Sequence, residues 1–219
     1  MIRLVGVTKQ YMIGGKPFFA LKNICLYIND GEMIAICGKS GAGKSSLLHI
    51  LGCLETFEKG TYSLDGINVG SCCAADLARI RSQKIGFVMQ DFSLINHKTA
   101  LYNVEAAMFF NQTPFREMKK KALEALEKAG VWDQADKKVV NMSGGQRQRV
   151  AIARAIVNDP SVILADEPTG NLDSKTTDDI MALFQTLHKQ GKTILIVTHD
   201  AHVASFCDRV IELSDGMII

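Results

Sequence analysis

The chain has 219 residues, 47% of them hydrophobic and 22% charged, with only 4 prolines. That balance excludes a disordered chain and suits one α/β domain, or a domain with an inserted lobe, that buries its core without disulfides or metal. A formal charge of +2 selects neither nucleic acid nor a membrane surface as partner, and apolar runs such as Leu47-Leu48-His49-Ile50-Leu51 fall far short of the ~20 residues of a membrane span.

Residues 2–8 and 21–28 alternate apolar and polar and read as strands. The start, Met1 to Val5, thus reads as a strand rather than a signal peptide. Asp30-Gly31 is a turn. Met33-Ile34-Ala35-Ile36-Cys37 is a continuous apolar run, as expected of a strand buried on both faces of a sheet. A glycine-rich loop at 38–43 leads into a helix over about 44–53. Asp65-Gly66 marks a hairpin, and 85–89 is a second buried strand. From about 91 to 157 the pattern is helical, with Thr113-Pro114 as an N-cap and first-turn signal and Gly130 as a stop. Lys119-Lys120-Lys121 reads as a solvated helix face. Strands return at 161–165 and 193–197, separated by a helix at about 174–190, with a last strand near 209–213. The 6 cysteines contain no C-x-x-C pair, and the expectation is reduced, buried thiols in a cytosolic protein.

Gly38-Lys39-Ser40-Gly41-Ala42-Gly43-Lys44-Ser45 fits G-x-x-x-x-G-K-[ST] in full. Glycines let the backbone wrap so that its N–H groups, with the positive end of the following helix, face a polyphosphate. Lys44 can reach the β- and γ-phosphates, and the Ser45 hydroxyl is placed for Mg²⁺. The motif stands between a buried strand and an apolar helix, the context it requires. The strand at 161–165 ends in Asp166-Glu167. Asp166 is the expected Mg²⁺ partner. Strand alternation points Glu167 away from Asp166, where it could serve as general base or position water near the γ-phosphate.

Asn141-Met142-Ser143-Gly144-Gly145-Gln146 opens another helix. Ser143 and Gln146 have capping-box spacing, and Gly144 and Gly145 leave the first N–H groups unobstructed, a second anion site. A phosphate loop and a separate anion-binding helix start in one chain suggest a composite site.

On these motifs the chain resembles the ABC ATPases over essentially its whole length. Met142 to Gln146 is similar to the family's signature motif, with Met where Leu is usual. Gln90 resembles the Q-loop glutamine, Asn171-Leu172-Asp173 the D-loop, His199 the switch histidine and Tyr11 the adenine-stacking aromatic, with Phe18 and Phe19 as rivals; Ser46 stands where Thr is more usual. The resemblance implies a RecA-like P-loop NTPase core (1–89 and 158–219) with an antiparallel β subdomain and an inserted α-helical lobe (90–157). It implies ATP and Mg²⁺ as cofactors. ATP would contact Tyr11, Gly38, Lys39, Ser40, Gly41, Ala42, Gly43, Lys44, Ser45 and Ser46 of one copy. Ser143, Gly144, Gly145, Gln146 and Asp173 would complete the nucleotide site. Mg²⁺ would be held by Ser45, Gln90 and Asp166, and Glu167, His199, Gln90 and Lys44 would serve catalysis.

The resemblance further implies a homodimer on ATP binding and a separately encoded integral membrane permease. No nucleic-acid partner is expected, and the chain would lie on the cytoplasmic face of the membrane, held there by the permease. Phe92, Leu94, Leu101 and Tyr102 could wall the groove that receives a permease helix, or simply pack internally. Ala165 to Ser174 resembles the subgroup of macrolide-export, lipoprotein-release, cell-division and peptide-resistance ATPases, where the partner often transmits force across the membrane. A soluble ABC ATPase acting on DNA or ribosomes is the alternative. Against it stand the absence of heptad arrays and of Cys/His metal spacing, and a single cassette. A regulatory module that barely hydrolyses ATP is disfavoured by Lys44, Glu167 and His199.

Overall fold

A computed structural model describes residues 1–111 and 113–219. The chain opens with a long antiparallel hairpin, β1 (Ile2–Ile13) and β2 (Lys16–Ile28). Its two-residue turn is Gly14-Gly15, with φ of +57° and +77°. Positive φ at both central positions matches the right-handed twist of the strands, and glycine adopts it without steric cost. Residues 9–20, left between the two expected strands, are therefore the turn and the inner ends of these strands. Tyr11 comes to lie opposite Phe18.

Next come β3 (Met33–Cys37), α1 (Lys44–Leu51), β4 (Lys59–Leu64), β5 (Ile67–Asn68), α2 (Ala74–Lys84) and β6 (Ile85–Val88). Helix α2 was not expected. Only Ile80 of it is buried, so its sequence carries almost no apolar period for a pattern argument to find. The expected helical stretch from 91 begins as a loop. The side chain of Asn103 holds that loop, accepting from the Ile95 N–H at 2.7 Å and donating to the Ile95 and Thr99 carbonyls.

Three helices follow: α3 (Ala100–Ala106), α4 (Phe115–Lys128) and α5 (Gly144–Ile156). Thr113 does not cap α4. Pro114 takes that position without a side-chain bond, since its fixed φ suits the entry but it offers no acceptor. Gly130 stands just past the end of α4 with φ +69°, the left-handed stop expected of it, and Lys119, Lys120 and Lys121 are exposed. The chain ends with β7 (Val162–Asp166), α6 (Ser174–Lys189), β8 (Thr193–Val197), a one-turn helix α7 (Ala201–Ala204), β9 (Arg209–Ser214) and β10 (Met217–Ile218). The last strand and α7 were too short to read from periodicity.

The strands form two sheets, an antiparallel one ordered β2-β1-β4-β5 and a six-stranded one ordered β10-β9-β3-β8-β7-β6. In the second, β9, β3, β8, β7 and β6 run parallel. Their carboxyl ends meet where the functional loops leave the sheet, the usual site of ligand crevices in such folds. One apolar cluster joins the two sheets around α1, with Leu47, Leu48, Ile50 and Leu51 buried against Tyr62 and Leu195. The other joins the opposite face of the parallel sheet to α5, α6 and the helical lobe. All six cysteines are free thiols. The expectation of burial holds for Cys53 alone: Cys25 and Cys73 are exposed and the others half-buried, because Cys25 falls on the outer face of an antiparallel strand, where alternation puts it in water.

Candidate nucleotide site

Residues 38–43 turn tightly between β3 and α1, and two of the glycines are there for space. At Gly43, φ is +104° and a Cβ would lie 2.4 Å from the Ala20 carbonyl oxygen; at Gly38 it would lie 2.2 Å from that of Leu213. Gly41 has φ +79° with nothing near its Cβ position, so there glycine serves the dihedral alone. The Lys44 ammonium donates to the carbonyls of Gly38 at 2.7 Å and Lys39 at 3.0 Å. Those two bonds fix the side chain across the loop and leave one of its three N–H donors for a phosphate oxygen.

The loop forms one wall of a cavity of about 700 Å³. Tyr11, Gly38, Lys39, Ser40, Gly41, Gly43, Lys44, Ser45, Ser46, Gln90, Asp166, Glu167 and His199 line it, brought from β1, the loop, α1 and the ends of β6, β7 and β8. Ala42 is buried beneath the loop instead. Phe18, Ala20 and Val197 also line the cavity. Phe18, named with Tyr11 as a candidate for stacking, reaches the cavity through the hairpin register, and Val197 carries no sequence signal. The Tyr11 hydroxyl bonds the Glu55 carboxylate and Ser46, at 3.2 Å from the latter, and the Lys9 ammonium lies 5.0 Å from its ring centroid. The ring is thus held rigidly at the cavity's edge.

The acidic pair departs from strand alternation. Glu167 has φ +42°, a left-handed conformation that costs a non-glycine residue about 1–2 kcal/mol. This reversal brings both carboxylates to the same cavity, rather than pointing Glu167 away from Asp166. Burial first, and then the Glu167 charge, push the Asp166 carboxyl above its usual range. The Glu167 carboxylate is held from two sides, by His199 Nδ1 at 3.0 Å and by the Gln90 side-chain N–H at 3.3 Å. These two bonds fix the position of the carboxylate in the cavity. The oxygens of Ser45, Asp166 and Gln90 together form an all-oxygen donor set suited to a hard cation.

The remaining expected residues lie elsewhere. Ser143 caps α5, accepting from Gln146 N–H at 3.2 Å, while the Gln146 side chain accepts from Ser143 N–H at 3.1 Å. Ser143 is exposed and, with Gly144, Gly145 and Gln146, is outside the cavity of its own chain. Asp173 caps α6, accepting from the Thr176 N–H at 3.0 Å and hydroxyl at 2.7 Å. Replacing Ser143 by Ala should cost about 0.5–2 kcal/mol, read as a lowered urea midpoint with unchanged slope. Of the four candidate groove residues, Leu94 and Leu101 pack on the core, Phe92 lies under the Arg147 guanidinium, and Tyr102 lies between Lys98 and Phe109.

A P-loop core whose acidic strand end and His199 share a cavity, with a helical lobe bearing a glycine-rich capped helix start, is the architecture of an ATP-binding cassette. Comparison with known proteins agrees. The family described as ABC transporter matches residues 21–170. The ABC transporter ATP-binding protein YvrO of Bacillus subtilis is 48% identical over 219 residues, covering 100% of this chain and 96% of that protein. The macrolide export ATP-binding/permease protein MacB of Chlorobaculum tepidum is 45% identical over 219 residues, all of this chain but 34% of that one. A solved dimeric structure of the cassette MJ0796 in a post-hydrolysis state, bound to ADP and Pi, superposes with a TM-score of 0.92 at 46% identity, covering 100% of this chain and 96% of that chain. The chain belongs to the ABC transporter family, as one of its ATP-hydrolysing cassettes.

Proposed function

We propose that this cassette drives a membrane complex by closing head to tail with a second copy around ATP, each chain's α5 start completing the other's cavity. The observation that carries the reading is the separation just described: Lys44, Asp166 and Glu167 share a cavity from which Ser143 and Gly145 are absent. A γ-phosphate reached by Lys44 would still have unpaired oxygens, and the Ser143 hydroxyl and Gly145 N–H of a second copy are donors of the right kind. Asp173, within this chain a helix cap, would lie on the same closing face. The test is a Ser143→Cys substitution combined with Glu167→Gln and MgATP. We expect a photoreactive ATP γ-analogue to label Ser143→Cys chains only through a dimer. Labelling of monomers, or none with bound nucleotide present, would sink the arrangement.

Within the cavity, Lys44 neutralises phosphate charge, and Glu167 accepts the proton of the attacking water while His199 holds its carboxylate. Gln90 and His199 orient Glu167 without competing for the proton, since each already donates to it. Ser45, Asp166 and Gln90 would hold Mg²⁺, which would supply positive charge to offset that of the phosphates. The fit is chemical: three oxygens in one cavity, one of them a carboxylate whose ionised form is disfavoured until a cation arrives. Tyr11, with Phe18 opposite, offers the flat apolar surface on which adenine stacks.

The raised Asp166 pKa has a sign that can be tested. A protonated carboxyl cannot bind a cation, so Mg²⁺-dependent ATP binding should weaken as pH falls, beginning above the range of an ordinary carboxyl. In the nucleotide-free chain the ionised form costs stability. Asp166→Asn should therefore raise Tm at neutral pH, and the gain should vanish as pH falls through the unfolded value of 3.8. An Asn variant with lower Tm at pH 7 would count against this.

The partner would be an integral membrane permease, with the cassette on its cytoplasmic face. Among the described residues no helix is long and apolar enough to cross a membrane. The macrolide-export relative, which joins an ATP-binding part to a permease part by name, supports export or force transmission across a membrane as the coupled work. Co-purification with a permease encoded beside this chain, and stimulation of its ATPase by that permease, tests the assignment.

A further inference from the structure

The loop after Gln90 holds two consecutive residues in the left-handed region, Phe92 with φ +63° and Ser93 with φ +45°. Neither is glycine, asparagine or aspartate, so each costs about 1–2 kcal/mol, and the surroundings must enforce both. The enforcement comes from α5. The Arg154 guanidinium donates to the Phe92 carbonyl at 2.9 Å and also to that of Ser93. The Arg147 guanidinium, two turns earlier, lies 5.4 Å from the centre of the Phe92 ring. Asp91 completes the turn, accepting from the Ser93 N–H at 3.1 Å and hydroxyl at 2.7 Å. Burial lowers the Arg154 pKa, yet a guanidinium stays charged, so these are charge-assisted bonds in a poorly solvated place.

On the other side, Gln90 is tied to the core: its carbonyl accepts from the Asn171 side chain at 3.3 Å, and its amide donates to Glu167. We propose that Arg154, with Arg147 on Phe92, is a positioning residue that carries movement of α5 through the 91–93 turn to Gln90 and so to Glu167. Helix α5 is capped by Ser143 and reaches Arg154 about 16 Å further along. A rod of that length moves as one body, so a phosphate captured at its start shifts Arg154 with it. Two carbonyls gripped by a planar fork follow that shift; a single point charge would let them turn. Engagement of the signature end of the lobe then adjusts the hold that Gln90 has on Glu167. The proposal rests on the catalytic reading of Glu167 given above.

The test is Arg154→Lys, which keeps the charge but cannot chelate two carbonyls. We expect ATP affinity within about twofold of the parent chain, and a kcat lowered about tenfold or more, which is the loss of one to two charged bonds read as a rate. Adding Ser93→Gly, which removes one left-handed penalty, should restore part of that kcat, although alone it changes kcat little. A merely structural arginine would instead lower Tm, affinity and rate together, with no rescue. Normal kcat in Arg154→Lys, or no recovery with Ser93→Gly, overturns the proposal. Glu167→Gln run alongside separates the two levels: if it is inactive while Arg154→Lys is normal, only the clamp fails, and if it is active the catalytic reading fails first. Should Arg154→Lys not fold, hydrogen exchange on Glu167→Gln with and without MgATP decides. Protection at residues 91–94 should change together with that at 144–150, and independent responses overturn the clamp.

Discussion

Replacing Glu167 by Gln should reduce ATP turnover by about 100-fold or more, the scale of a positioned general base, while leaving ATP binding intact. Gln keeps the shape and can still meet the Gln90 amide and His199, but it cannot take a proton from water. The left-handed backbone at residue 167 is unaffected, so stability should stay within about 0.5 kcal/mol. The second consequence is oligomeric. With hydrolysis blocked, ATP stays between the two copies, and gel filtration with MgATP should show a dimer that the parent chain forms only transiently. Parent-like steady-state turnover would remove Glu167 from the catalytic role. Lost turnover with no dimer would leave its chemistry in place and remove the closure.

Gly43→Ala should be a strongly damaging single-methyl change in the phosphate loop. Its Cβ would lie 2.4 Å from the Ala20 backbone oxygen and 3.0 Å from a Leu21 methyl, at a φ of +104°. Neither the strand carbonyl nor the buried Leu21 can give way cheaply, so overlap and dihedral strain combine, for a loss of about 2–5 kcal/mol. Nucleotide binding should fail even in the molecules that remain folded, because the loop and the start of α1 move together. Gly41→Ala is the control. Its φ is similarly left-handed but the space is open, so the cost is about 1–2 kcal/mol. Urea unfolding of the two variants, side by side with ATP titration, checks this; equal losses at both positions would mean that the loop relaxes around a methyl group at Gly43.

The contrast between these glycines shows where sequence reasoning stops. The P-loop motif requires Gly43 and leaves position 41 open, and only the folded chain shows that Gly43 is pressed against β2 while Gly41 serves a left-handed φ beside the cavity. The phosphate loop, the buried strand leading into it, the acidic strand end and the capped start of α5 were legible because each is local. A continuous apolar run, a glycine spacing or a capping box acts within about ten residues, and neighbouring residues enforce it. Family resemblance added Gln90, Asp173, His199 and Tyr11, which no local pattern would single out.

What the sequence by itself determined was the set of groups: a P-loop, a pair of carboxylates and a second glycine-rich helix start on one chain. What tertiary structure decided was which of these groups meet. It turned Glu167 back beside Asp166 by a left-handed residue, left Ser143 and Gly145 outside the cavity of their own chain, and set Phe18 opposite Tyr11. It also gripped the turn after Gln90 with an arginine 61 residues further on. Such meetings join residues far apart along the chain, through sheet order and helix packing, and they depend on strained dihedrals that local preference alone would reject.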